Sequence, residues 1–93
     1  MSIALIVLNY NDYETTIKYI NFVKKYNFID NVIIVDNCST NNSYEKLKKY
    51  ESEKIDIIKS DKNGGYAYGN NYGIRYAKEK YRPDYLIISN PDV

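Results

Sequence analysis

The residues able to do chemistry fall in four short clusters: Asn9-Tyr10-Asn11, Asp36-Asn37-Cys38-Ser39-Thr40, Ser60 to Gly65 with Asn70 close behind, and Asn90-Pro91-Asp92. They supply amides, hydroxyls, carboxylates and glycines, which suit hydrogen-bond recognition of a polar ligand. Histidine is absent and Cys38 is the single cysteine, so zinc ligation and Cys/His nucleophilic catalysis have no donors here. Asp36 directly follows the apolar run Val32 to Val35. A carboxylate placed there must find donors. A nucleobase NH or ribose hydroxyl would supply one, and so would the amides of Cys38 and Ser39 in an Asx-turn. Asn9 and Asn11 have the same double reading, as ligand contacts or as turn and helix-cap residues. Ser39 and Thr40 read as loop and cap residues or as ligand contacts.

All four glycines lie between Asn63 and Gly73, in Asn63-Gly64-Gly65-Tyr66-Ala67-Tyr68-Gly69-Asn70-Asn71-Tyr72-Gly73. The spacing matches neither the dinucleotide fingerprint nor the P-loop. Gly64 and Gly65, ahead of a helix, permit positive φ and close backbone approach to a flat or anionic group. Gly69 and Gly73 are one turn apart inside that helix, where each costs about 1 kcal/mol relative to alanine. They mark close contact with the sheet or with a ligand. Asp92 follows the rigid Asn90-Pro91 turn. One carboxylate can hold Mg²⁺ or Mn²⁺ when phosphates and water complete the shell.

The elements that must position these clusters alternate in period. Ile3 to Leu8, Val32 to Val35, Ile55 to Ile58 and Tyr85 to Ile88 read as strands, the first two nearly continuous in apolar residues as in a buried parallel sheet. Between them Tyr13, Ile17, Ile20 and Val23 form a helical stripe, with Asn11-x-x-Glu14 as a capping box. Asn42-x-x-Glu45 caps a second helix, and Tyr66, Asn70, Ile74, Ala77 and Tyr81 share one side of a third that Arg82-Pro83 ends. The order β-α-β-α-β-α-β predicts an α/β fold, a Rossmann-like open parallel sheet in strand order 3-2-1-4 with helices on both faces. In such a sheet ligands bind beyond the carboxyl ends of the strands. All four chemical clusters follow strands, and the opposite edge has nothing of comparable character.

Bulk properties bound the partners. Ninety-three residues make one small domain that buries about 60–65% of its unfolded surface. Thirteen basic against twelve acidic residues, net +1, give no reason to expect nucleic acid, so an anionic ligand must be held by local groups. A lone cysteine, no signal peptide and no apolar run long enough to span a membrane predict a cytoplasmic protein.

The four clusters, in order and at these spacings, resemble the amino-terminal, nucleotide-binding half of a family 2 glycosyltransferase of the GT-A fold, nearest its rhamnosyltransferase-like members. The resemblance covers residues 1–93. It implies a donor-binding domain for a UDP- or dTDP-linked sugar, transferred with inversion to a hydroxyl of a saccharide or glycan acceptor. It implies that Asp36 reads the uracil or thymine ring, with Asn9 and Tyr10 around the base and Asn37 beside them. Asn63, Gly64, Gly65 and Asn70 would lie near the nucleoside. Asn90 and Asp92 match the D-x-D element, Asp92 holding Mg²⁺ or Mn²⁺ on the diphosphate and Asn90 offering an amide oxygen in place of the first acid. Asn41 stands where the family often has an aspartate.

The chain stops one residue after Asp92. The resemblance therefore implies a truncated GT-A domain, without the acceptor half and with the catalytic base expected beyond Val93. Such a fragment is expected to be inactive alone, and its last strand to be a bare edge that favours a homo-oligomer. A sugar nucleotidyltransferase-like domain would want a glycine-rich basic loop after the first strand, where this chain has Asn9-Tyr10-Asn11-Asp12. A non-catalytic Rossmann-like remnant or interaction domain is the other alternative.

Overall fold

The computed structural model describes residues 1–89, so the sequence-predicted Asn90 and Asp92 lie outside the described residues. The elements are β1 (Ile3–Asn9), α1 (Tyr13–Val23), β2 (Asn31–Asp36), α2 (Ser43–Lys48), β3 (Ile55–Lys59), α3 (Tyr66–Lys80) and β4 (Tyr85–Ser89). The four strands form one sheet in the order β3-β2-β1-β4, and every pairing is parallel. This is the α/β architecture and strand order that the alternation of periods predicts.

β1 and β2 are central, and alternate side chains on each enter two separate cores. Leu5, Val7, Val32 and Ile34 meet Ile20, Val23 and Leu47 of α1 and α2 on one face. Ala4, Ile6, Leu8, Ile33 and Val35 meet Ala77 of α3 on the other. The first two helices thus share a face and the third covers the opposite one. Registers Leu8↔Val35 and Asn9↔Asp36 bring the ends of β1 and β2 level, so their following loops leave side by side.

Helix starts depart from the sequence pattern in two places. Asp12 caps α1, its Oδ1 accepting from Thr15 N at 3.4 Å. The expected capping box at Asn11 does not form, because Asn11 adopts φ 55° and its side chain turns to the next loop instead. At α2, Asn42 holds the cap position without a side-chain bond, and Asn41 Oδ1 accepts from Ser43 N at 2.9 Å.

Helix α3 buries Gly69, Asn70, Gly73 and Ala77, while Tyr66 at its start is exposed. A Cβ on Gly73 would come within 2.7 Å of both Ile6 Cγ2 and Val35 Cγ2. One on Gly69 would overlap Leu8 and sit 3.0 Å from Asn37 Cγ. Both glycines therefore let α3 lie directly on β1 and β2, the packing alternative for these positions.

The far end of α3 is tied to the edge strand by a carboxylate. Asp56 Oδ2 accepts from Tyr81 Oη at 2.7 Å, Tyr76 Oη at 2.9 Å and Lys80 Nζ at 3.0 Å. Burial would raise this carboxyl, but the bonds from Tyr81, Lys80 and Tyr76 outweigh it and hold it below the ordinary aspartate value. On the other edge, among the described residues no strand pairs with the outer side of β4, and Tyr85, Ile87 and Ile88 are exposed. Among the described residues no helix is long and apolar enough to cross a membrane.

Candidate functional site

The carboxyl ends of β1, β2 and β3 converge on Asp36, which has 0% of its surface exposed. Its carboxylate is satisfied from inside the protein. Asn9 Nδ2 donates to Oδ1 at 2.9 Å, Ser39 Oγ donates to the same oxygen, and Ser39 N donates to Oδ2 at 3.1 Å. Cys38 N instead donates to the backbone carbonyl of Asp36 at 2.8 Å, and Cys38 itself takes φ 56°. The Asx-turn read from the sequence therefore forms, through Ser39 alone. Oδ2 accepts one bond where Oδ1 accepts two, so it has the greater unused acceptor capacity of the pair.

Asn9 is buried beside it. Its Oδ1 accepts from Thr16 Oγ1 at 2.6 Å while its amide nitrogen serves Asp36, so both ends of the side chain are engaged within the fold. Asn9 holds Asp36 in place and locks it to α1. Tyr10, next along, is exposed. Asn11 then joins the first loop to the second: Ser39 Oγ accepts from Asn11 N at 2.9 Å, and Asn11 Oδ1 accepts from Thr40 N at 2.9 Å.

Asn37 does the corresponding work on the other side. Its Oδ1 accepts from Ser60 Oγ at 3.0 Å, and its Nδ2 donates to Gly65 O at 3.1 Å and Asn63 Oδ1 at 3.3 Å. The end of β2 is thereby stitched to the loop between β3 and α3. Gly65 is the N-cap of α3 at φ 92°, a left-handed backbone that glycine adopts without strain. No side chain caps this helix and its first turn carries no acid. The first amide groups of α3 therefore lack intrahelical partners and present positive potential beside the exposed Gly64-Gly65 backbone.

Asn70 lies one turn into α3 with only 7% of its surface exposed. Its Oδ1 has no hydrogen-bond partner among the described residues. A buried amide oxygen left unmatched costs about 1–3 kcal/mol, which marks a place where a ligand or a further piece of chain completes the structure.

Asn9, Asp36, Asn37, Asn63, Gly64 and Gly65 thus belong to a connected edge at the strand ends, with Tyr10 exposed at its rim. Asn9, Asp36 and Asn37 are interior supports; Asn63 and the two glycines form the exposed lip. Ser39, Thr16, Ser60 and Asn11 complete the network; Asn11, Ser39 and Ser60 stand in the clusters read from sequence, and Thr16 alone lies outside them. Ser39 carries a usable signal, lying three residues after an aspartate. Thr16 carries none, since its bond to Asn9 exists only once α1 packs on β1. Among the described residues no three acidic, histidine or cysteine side chains come together as a metal site.

The family model for Glycosyl transferase family 2 matches residues 4–93. The chain is 32% identical over 92 residues to the low-salt glycan biosynthesis hexosyltransferase Agl10 of Haloferax volcanii, covering 98% of this chain and 28% of that protein. Two solved structures share the fold. Mannosyltransferase PcManGT from Pyrobaculum calidifontis, in complex with GDP-Man and Mn²⁺, has a TM-score of 0.67 at 17% identity, over 81% of this chain and 24% of its own. S. aureus TarS has a TM-score of 0.73 at 22% identity, over 99% of this chain and 17% of its own.

Proposed function

Since this chain belongs to glycosyl transferase family 2, we propose that its strand-end network is the donor-nucleotide half of a sugar-transfer site. The observation that carries the reading is Asp36: a fully buried carboxylate at the carboxyl end of a central strand, fixed by two neighbours and keeping one acceptor position on Oδ2. An acceptor so held favours bases with a ring N–H on the pairing edge, the imide N3–H of uracil and thymine or the lactam N1–H of guanine, where adenine and cytosine have a ring acceptor and only an exocyclic amine to donate. The donor is a UDP- or dTDP-sugar, and the guanine of a GDP-sugar is the competing case because PcManGT was solved with GDP-Man. Tyr10 flanks the base, and the exposed Asn63-Gly64-Gly65 backbone lets the nucleoside approach closely.

A divalent cation fits the residue types available. Asp92 would hold Mg²⁺ or Mn²⁺ together with the donor diphosphate, with Asn90 beside it; one carboxylate with phosphate oxygens and water is an ordinary shell for either ion. Such an ion supplies charge neutralisation of the departing nucleoside diphosphate. The chain's own described residues bind and orient: Asn9 and Ser39 fix the Asp36 carboxylate, and Asn37 fixes the Gly65 turn against it.

The chain spans 28% of the Agl10 length, 24% of PcManGT and 17% of TarS. Transfer itself needs a base that removes the proton of the acceptor hydroxyl. In this reading that base and the acceptor site belong to a region beyond Val93, and residues 1–93 alone bind nucleotide without turnover.

Thermal-shift titration with UDP, dTDP, GDP and ADP, each with and without Mn²⁺, tests the assignment. Stabilisation by uridine or thymidine diphosphate that strengthens with Mn²⁺, and none by ADP, is expected. Equal response to all four nucleotides would contradict a base-reading Asp36, and no response to any would favour a non-catalytic domain.

A further inference from the structure

At the end of the molecule away from Asp36, where β2 begins, three aromatic side chains face solvent. Phe22 is 57%, Tyr26 37% and Phe28 59% exposed. They are contiguous: the Phe22 and Tyr26 centroids lie 5.4 Å apart edge-to-face, and Tyr26 and Phe28 lie 5.5 Å apart. An aromatic patch of this kind is costly in water and marks a surface that something else covers.

Its charge says what. From Lys18 to Phe28 the chain has three lysines, Lys18, Lys24 and Lys25, and no acid. All three are exposed, and Lys18 lies one helical turn before Phe22 on the same face of α1. A fourth lysine joins from the α2–β3 connection, where Lys54 Nζ donates to Tyr26 O at 2.7 Å and Lys24 O at 3.3 Å. Of the flanking acids, Asp30 keeps its charge while accepting from Ile3 N at 2.8 Å, and Glu14 stands one turn before Lys18, so the positive charge is concentrated at Lys24, Lys25 and Lys54 beside the rings. In that same connection Glu51 pairs with Lys48, and Glu53 is exposed.

We infer that this end docks on the surface of an anionic bilayer, the three aromatic rings entering the headgroup region and the lysines pairing with lipid phosphates. Rings with an apolar body among lysines that keep their heads in water are the composition of an interfacial anchor. Anionic headgroups complement the local positive charge. Docking here points the carboxyl ends of the strands, and the site on them, away from the membrane plane.

The test is co-sedimentation of the chain with vesicles of phosphatidylcholine alone and of phosphatidylcholine mixed with phosphatidylglycerol. Binding is expected to the mixed vesicles and to fall with added salt. Each of Lys24→Gln and Lys25→Gln should weaken it roughly fivefold. The double variant Phe22→Ser/Phe28→Ser should weaken it tenfold or more, at roughly the transfer cost of two exposed rings. Its circular dichroism and thermal midpoint should stay unchanged, since both positions are on the surface. Three results would overturn the inference: no binding to the mixed vesicles, equal binding by the double phenylalanine variant, or a dimer in light scattering that Phe22→Ser dissolves and that ignores vesicles.

Discussion

Replacing Asp36 with asparagine changes charge at constant shape, and the surrounding bonds set how much that costs. Ser39 N is a backbone donor that cannot reverse, so the new amide oxygen must stay where Oδ2 now accepts at 3.1 Å. The amide nitrogen then faces Asn9 Nδ2, which presently donates at 2.9 Å. Asn9 relieves this donor–donor clash by turning its own amide over, and the hydroxyls of Thr16 and Ser39 rotate to accept. The network re-forms with neutral bonds in place of charge-assisted ones. Bonds to a charged partner contribute about 1.5–3 kcal/mol against about 0.5–1.5 kcal/mol for neutral ones. Three such exchanges, partly offset by no longer burying a charge, predict a net loss of about 1–2 kcal/mol in urea denaturation. UDP affinity by calorimetry should fall about five- to tenfold, the same charge effect felt by the one bond that the base makes to Oδ2. Unchanged stability would refute the network as described. The expected loss of stability with full UDP affinity would refute base reading and leave Asp36 a turn residue only.

Four further outcomes follow from the packing. Gly73→Ala gains about 1 kcal/mol of helix propensity but drives a methyl to 2.7 Å from Ile6 and Val35, so a net destabilisation of roughly 1–2 kcal/mol is expected by chemical denaturation; a more stable variant would contradict the close seating of α3. The Asp56 carboxyl sits below its ordinary value in the folded chain, so its contribution is present above about pH 4 and is lost as pH falls through the folded value. Asp56→Asn should flatten that acid limb in urea midpoints measured against pH, and an unchanged limb would deny the triple contact. Burial and Asp56 raise the Tyr81 and Tyr76 hydroxyls, so stability should also decline above about pH 10, where the unfolded chain ionises more readily. The exposed Tyr85, Ile87 and Ile88 of β4 should pair the chain with a second copy, seen as a dimer by light scattering and returned to monomer by Ile87→Lys; a monomer at high concentration would count against it.

The topology was legible because the two periods are clean. Ile3 to Leu8 and Val32 to Val35 read as buried strands, the segments between them carry helical stripes, and right-handed crossovers prune the sheet to a handful of orders that includes the 3-2-1-4 observed. The gathering of polar residues after strands, and the close seating of Gly69 and Gly73, were also readable. Cap details were not. Asn11 and Asp12 are both good cap residues, and the choice turned on Asn11 having Thr40 and Asn41 to bind across the neighbouring loop. The support role of Asn9 was hidden for a similar reason: nothing local ties it to Thr16 or Asp36 until β1, β2 and α1 are assembled. The role of Asp56 was hidden too, because its partners Tyr76, Lys80 and Tyr81 come from the distant end of α3.

The central claim is that nucleotide occupies the strand-end network, and amide chemical-shift mapping by NMR during UDP titration locates it directly. The account predicts that the largest shifts fall on the Ser39, Gly64 and Gly65 amides and the side-chain amides of Asn37 and Asn70. Lys25, Asn27 and Phe28 at the opposite end should stay in place. Shifts centred on that opposite end, or none up to millimolar UDP with Mn²⁺ present, would contradict it.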